Sequence, residues 1–304
     1  MNFRDLLEKL TEQNNIIDEY KLVSPKYELA NYIYNNKEFP TIFNNVGKEN
    51  WKVVSGIYSK REYIGLGLSI PENELIPRLA YAFENPTKTE ISANPPCQEQ
   101  IIDKVDLEKL PIPYFFKQDG GSYITAGVMI VKDPEYGLNA CYHRLMKIGK
   151  DSFSMRMVEN RDTHRAYLKR GKKLEAAVCL GNTAAVMLAS SMSPDPEVFE
   201  LEIANSLDKT TLSRCKTKDL LVPSDCEVVI EGHILEETAH EGPFVDLTQT
   251  RDFVRKQPVF KVDCITCRVD PILQILLPGQ NEHKLLMGMP KEPTLYSCIN
   301  KTVD

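Results

Sequence analysis

Between Ser122 and Val269 the chain reads as a succession of short β-forming runs, and this limits the folds open to it more than any other feature. The runs are SYITAGVMIVKD, NACYHRLMKI, KLEAAVCLG, CEVVIEGHI and PVFKVDCITCRV. Apolar and β-branched residues recur in them, and turn residues bound them. Helical patterns interrupt the series at NRDTHRAYLKRG and DPEVFELEIANSL. Many short strands with few long helices predict a barrel or sandwich carrying helical insertions.

The first third has a different texture. FRDLLEKL sets Phe3, Leu6, Leu7 and Leu10 on one helical face. The stretch from Asn2 to about Asn36 reads as helices, and WKVVSGIYS as a strand and turn. PENELIPRLAYAFENP reads as a helix entered at Pro71 and stopped near Pro86. The expected fold class is therefore α/β (α+β). A chain of 304 residues accommodates two domains: an N-terminal α/β domain over residues 1–110 and a β-rich domain over 111–304. The end, EPTLYSCINKTVD, shows no convincing final element.

Several function classes fall away on composition. Acids outnumber bases by 43 to 37, which argues against a general nucleic-acid binder. No run of about 20 apolar residues exists, so no membrane span is expected. The charged start MNFRDLLEKLTEQ lacks the apolar core of a secretory signal. Eight cysteines without a scaffold pattern read as reduced thiols of a cytoplasmic protein.

Most short motifs have plain local readings. CITC at Cys264–Cys267 fits C-x-x-C, but residues three apart on an alternating strand point to opposite faces. Neither a redox pair nor a zinc clip is expected there. GLG at Gly65–Gly67 lacks the third glycine of a dinucleotide fingerprint. DGGSYITAG reads as a turn before a strand. In NACYHRLM, alternation would set Asn139, Cys141 and His143 on one face and Arg144 on the other. Arg144 then reads as an exposed edge residue, unless a bulge realigns it. His164 and Glu200 read locally as surface residues of helices.

HEGPFVDLT, His240–Thr248, is different. Gly242-Pro243 fixes a turn, so rigid backbone sets Glu241 and Asp246 on its two sides. Two acids close together in a partly apolar site separate their pKa values, one staying ionised while the other holds a proton near neutral pH. That is an arrangement for delivering a proton. A surface hairpin turn fits this stretch equally well.

Taken in order and spacing, DGGSYITAG…KDPEYGLNACYHRLM, AAVCLGNTAAVMLASSMSPDPE, LVPSDCEVVIEGHI and HEGPFVDLT resemble the UbiD-like decarboxylases, which use prenylated flavin mononucleotide (prenylated FMN). FPTIFNNVGKENWKVVSG, SKREYIGLGL and VDLEKLPIP extend the likeness over nearly the whole chain. The resemblance implies a split β-barrel that binds the flavin. It also implies non-oxidative, reversible decarboxylation of an aromatic or α,β-unsaturated carboxylic acid. The implied catalytic residues are Arg144, Glu241 and Asp246, with Asp246 as proton donor and Arg144/Glu241 as a supporting ion pair. Thr125, Asn139, Cys141, Ser190, Ser191 and Met192 fall where the family lines its cofactor. Asn139, His164 and Glu200 fall on the ligands of a divalent ion, Mn2+ or Mg2+, with Glu197 and Glu202 as neighbours of the third. A K+ ion nearby is implied as well.

The implied partners are a small carboxylic acid, a flavin prenyltransferase that supplies the cofactor, and further copies of the chain. Members of the family usually continue past an EHKLLMGMPKEP-like segment into a C-terminal domain, whereas this sequence stops at Asp304. The expectation is that this domain is absent. The alternative function is then an incomplete or non-catalytic flavin-binding subunit that needs a separate C-terminal partner chain.

Overall fold

The amphipathic opening segment folds as its pattern requires: helix Phe3–Glu12 buries Phe3, Leu6, Leu7 and Leu10. Asn2 and Asp5 close its first turn as a reciprocal capping box. The computed structural model describes residues 1–102 and 104–302. The expected run of helix to Asn36 is broken by a strand, Ile17–Glu19, before the helix Glu28–Asn35. That strand pairs in parallel with Thr41–Val46. An available sheet edge thus overrides local helix preference, as tertiary pairing commonly does.

A small sheet runs in the order Ile17–Glu19, Thr41–Val46, Trp51–Ser55, Ile272–Gln274. Its last strand comes from near the far end of the chain and lies parallel to Trp51–Ser55. Among the described residues the large sheet has nine strands. Its centre is three antiparallel partners, Leu174–Leu180, Val228–Glu241 and Arg255–Cys267. The hydrogen-bonded path runs from Tyr123–Ile124 at one edge to Gly137–Tyr142 at the other. Among the described residues it does not close into a barrel. The architecture is mixed α/β around a large antiparallel sheet.

Two expected strands are each split. SYITAGVMIVKD becomes Tyr123–Ile124 and Val128–Asp133, separated around Gly127, where a Cβ would lie 2.6 Å from Val178 Cγ1. NACYHRLMKI becomes Gly137–Tyr142 and Leu145–Lys147, leaving His143 and Arg144 between strands. Alternation therefore stops at Tyr142, and Arg144 is freed from the face the period-two reading gave it. Helices Asp162–Lys169 and Glu200–Leu207 form where expected. Helix Ala184–Ala189 buries all six of its side chains, and Thr183 caps it by accepting from Val186 N–H at 3.3 Å. Gly67 packs against it, with space of only 3.2 Å to Ala184 Cβ, so GLG is a packing element. EPTLYSCINKTVD forms the helix Glu292–Thr302, with Pro293 in the first turn, where a missing N–H is tolerated. No helix among the described residues is long and apolar enough to cross a membrane.

Glu282 joins the two ends of the chain. Its buried carboxylate accepts from Gly56 N–H at 2.9 Å and Tyr58 N–H at 3.1 Å. Burial pushes this carboxyl up to about 7, against the pull of those two bonds. An unfolded glutamate titrates near ~4.3. Between those values the folded state binds more protons, so this group's contribution is complete at low pH and is lost as pH rises through about 7. Thermal melts of Glu282→Gln are expected to show a shallower fall in Tm from pH 5 to pH 8 than the parent, because the amide does not titrate over the ~3 pH units between the two values. An unchanged slope would remove Glu282 as its source.

Candidate active site

The two turns singled out in the sequence dock on each other. Gly120 N–H donates to Pro243 O at 2.7 Å. A Cβ on Gly120 would lie 2.1 Å from Gly242 O, so only glycine permits this approach. Asp119 clamps the junction, accepting from Phe116 N–H at 3.0 Å and Val245 N–H at 3.1 Å. Burial pushes the Asp119 carboxyl up to about 6, with the two backbone bonds and Arg144 opposing. The DGG and HEGPF motifs are thus one structural unit.

Arg144 lies at its centre, gripped from several sides. Its Nε donates to Glu241 Oε1 at 2.8 Å and its Nη2 to Oε2 at 3.0 Å. Nη2 also reaches Asp252 Oδ2 at 2.7 Å, and Nη1 lies 3.6 Å from Asp246 Oδ2. The guanidinium rests on the Phe244 ring, 4.5 Å from its centroid. Burial lowers the Arg144 pKa, but the bonds to Glu241 and Asp252 outweigh it and the net shift is upward. Arg144 is therefore no exposed edge residue: its side chain is 10% exposed and that of Glu241 is 0% exposed. The three expected catalytic residues come together. Asp246, however, is 47% exposed.

Asp252 was not legible as a site residue. It pairs with Arg255 in a two-bond fork, at 2.7 and 2.9 Å, while holding Arg144. These bonds hold the Asp252 carboxyl well below the usual carboxylate range. The hairpin of Phe244–Val245 with Arg251–Asp252 brings it back to the site. Tyr123 OH adds a contact to Glu241 Oε1 at 3.3 Å and accepts from Gly242 N–H at 3.1 Å.

Beside this cluster opens a cavity of about 470 Å³. Thr125, Asn139, Cys141, Ser190, Ser191 and Met192 all line it, as do Arg144 and Asp246. Cys141 Sγ lies 3.2 Å from Thr163 Oγ1, and burial pushes the thiol up to about 12. His143, 3.0 Å from the same hydroxyl, is held below its ordinary pKa by burial. Also at the cavity, Asn139 Nδ2 and Ala140 N–H donate to the two oxygens of buried Glu200, at 2.8 and 2.7 Å. Burial pushes Glu200 up to about 8. Glu202 turns instead to Lys88, at 2.8 Å.

His164 does not line the cavity; its Nδ1 accepts from Asn160 N–H at 3.2 Å. Asp162, two residues earlier at the start of the same helix, lines it alongside Asn139 and Glu200. A helix rotates ~200° over two residues, which is why His164 turns away while Asp162 faces in. Among the described residues no group of three His, Cys, Asp or Glu is arranged to hold a metal ion. Asn139 Oδ1 is nonetheless buried without a hydrogen-bond partner. An oxygen set of Asn139, Asp162 and Glu200 suits Mn2+ or Mg2+.

Residues 88–281 match the Rift-related domain of 3-octaprenyl-4-hydroxybenzoate carboxy-lyase, and residues 7–88 match its N-terminal domain. The chain belongs to the UbiD family. It is a carboxy-lyase of that family. A UbiD-family relative, the anhydromevalonate phosphate decarboxylase of Methanothermobacter thermautotrophicus, is 36% identical over 99% of this chain and 71% of its own length. The UbiD-class enzyme HmfF of Pelotomaculum thermopropionicum, solved in an evolved dimeric form with prenylated FMN, superimposes with a TM-score of 0.95 at 32% identity, over 99% of this chain and 73% of that one. Sedimentibacter hydroxybenzoicus vanillic acid decarboxylase, in its closed form, gives a TM-score of 0.93 at 25% identity, covering 99% of this chain and 70% of that one.

Proposed function

We propose that this chain uses prenylated FMN to decarboxylate an α,β-unsaturated or aromatic carboxylic acid, with Asp246 as proton donor and Arg144/Glu241 as the supporting ion pair. One observation carries the reading. An arginine already bonded to Glu241 and Asp252 reaches a third acid, Asp246, at 3.6 Å on the wall of a cavity of about 470 Å³. When bound, prenylated FMN supplies the electron sink that side chains lack. The residues do the rest. Arg144 keeps Glu241 and Asp252 from repelling the substrate, and Asp246 offers a carboxyl to the carbon that loses carbon dioxide. Thr125, Cys141, Ser190, Ser191 and Met192 form the wall suited to the flavin. On this reading the open antiparallel sheet is the family's split barrel.

Asn139, Asp162 and Glu200 would hold a divalent ion that neutralises the cofactor phosphate. Adding Mn2+ is expected to raise Tm by a few degrees, as ligands of the folded state do. Glu200→Gln should remove that response and His164→Ala should keep it. A response lost with His164→Ala would restore the histidine to the ligand set.

The names of the archaeal relatives make anhydromevalonate phosphate the first acid to test. The chain, co-produced with a flavin prenyltransferase, would be assayed for bound prenylated FMN by mass spectrometry. Carbon dioxide release would then be measured from that acid and from cinnamic-type and phenolic acids. No flavin under any condition would end the reading. A second reading is favoured by the half exposure of Asp246: a separate partner chain covers this acid, and release then requires adding it.

A further inference from the structure

Asp246 is about half exposed, so the backbone that carries it has to fix where its carboxyl stands. Both ends of that turn are anchored. At its exit, Gln249 Nε2 donates to Gly279 O at 3.0 Å, and a Cβ on Gly279 would lie 2.8 Å from Gln249 Cγ. Within it, Asp246 N–H donates to Thr250 O at 3.0 Å and Gln249 N–H to Asp246 O at 2.8 Å. At its entrance stands Asp119. Its Oδ1 accepts at 3.1 Å from the N–H of Val245, the residue before Asp246, across 126 positions of sequence. Its Oδ2 accepts from Phe116 N–H at 3.0 Å, on its own turn.

Asp119 is itself fixed and stands behind the cavity wall. It is 4% exposed and is not among the residues that line the cavity. Tyr114 OH donates to its backbone carbonyl at 2.6 Å, and the next residue, Gly120, holds Pro243. Tyr123 acts on the other side of Gly242-Pro243: its hydroxyl accepts from Gly242 N–H at 3.1 Å and meets Glu241 Oε1 at 3.3 Å. Residues 119–123 therefore grip the HEGPFVD stretch at three points: Tyr123 on the Glu241 side, Gly120 in the middle and Asp119 on the Asp246 side. Burying a carboxylate is costly unless bonds offset it. Of the two backbone bonds that do so here, one is local and the other reaches the turn of the proposed proton donor.

We infer that Asp119 is a positioning residue for proton delivery: by fixing Val245 it sets where the Asp246 carboxyl stands against Arg144 and the substrate carbon. This rests on the decarboxylase reading above and deepens it. Without the bond to Val245 the turn keeps its exit at Gly279 but loses a tie just ahead of Asp246. The acid then spends less time within reach of the carbon, and a misplacement of about 1 Å is enough to cost roughly 100-fold in rate.

Hydrogen–deuterium exchange, read by mass spectrometry on the parent, Asp119→Ala and Asp119→Asn, tests the clamp independently of activity. In Asp119→Ala the peptide covering residues 244–250 is expected to exchange roughly 10- to 100-fold faster, as loss of a buried charge-assisted bond allows, with the helix Phe3–Glu12 and the strand Leu174–Leu180 unchanged. Asp119→Asn keeps a carbonyl oxygen for Val245 N–H and should restore most of the protection. Turnover is read as carbon dioxide release from anhydromevalonate phosphate and from cinnamic acid, by protein co-produced with a flavin prenyltransferase. Asp119→Ala should lose roughly 10- to 100-fold in kcat while KM and flavin content stay within about twofold of the parent. Its solvent deuterium isotope effect on kcat should rise as proton transfer becomes limiting. Unchanged exchange in the turn would overturn the clamp, and so would faster exchange throughout the chain, which would make Asp119 a general support. A loosened turn at parental kcat would overturn its role in proton delivery. If the parent releases carbon dioxide from neither acid, yet Asp119→Ala loosens this turn alone, the clamp stands and the decarboxylase reading fails.

Discussion

Arg144→Met is expected to lower stability by about 3–5 kcal/mol and to abolish turnover in the same step. Glu241 is fully buried, and Arg144 is the cation bonded to both of its oxygens. Removing the guanidinium strands one acid in the interior and leaves Asp252 with Arg255 alone. For a chain of this length the loss corresponds to a fall in Tm of roughly 5–8 °C. The double variant Arg144→Met/Glu241→Gln tests the cause. Deleting both charges removes the stranded ion, so the double variant should melt above the single one, although neither turns over substrate. A single variant within about 1 kcal/mol of the parent would mean that the pair behaves as a surface contact. The central claim about the site would then fail.

What the sequence revealed depended on whether a residue's role was local. The opening helix, the long strands Leu174–Leu180 and Val228–Glu241 and the helix Glu200–Leu207 follow from periodicity, since burial of one face is a local pattern. The strand Ile17–Glu19 was illegible because its cause is a parallel neighbour that begins at Thr41. The same division holds at the site. Arg144, Glu241 and Asp246 were found through ordered motifs, yet alternation alone misassigned Arg144, because the strand ends at Tyr142. His164 was assigned a metal-ligand role through the family resemblance alone. The helix that begins at Asp162 sets its phase so that Asp162, not His164, lines the cavity. Asp252 carried no local signal. Its place at the site comes from a hairpin that folds back on Arg144.

Asp246→Asn should separate chemistry from structure more sharply than any other change. The side chain is about half exposed. Its Oδ1 accepts from Leu247 N–H at 2.6 Å, a bond that an asparagine carbonyl can keep. Stability is therefore expected to stay within about 0.5 kcal/mol of the parent, with flavin content unchanged. Turnover should fall by roughly 100- to 10,000-fold, the usual contribution of a placed general acid. The carbon that loses carbon dioxide must gain a proton, and an amide cannot give one up. His283, on the same cavity wall, is another group able to donate. Burial holds His283 below its ordinary pKa, though Asp246 opposes that shift. It therefore carries little proton near neutral pH. If Asp246→Asn kept its rate within a few fold while His283→Gln lost it, the proton would come from the histidine. The Arg144 cluster would then orient the substrate and not protonate it. A steep loss in Asp246→Asn at unchanged flavin content, with His283→Gln active, assigns proton delivery to the acid that Arg144 reaches last.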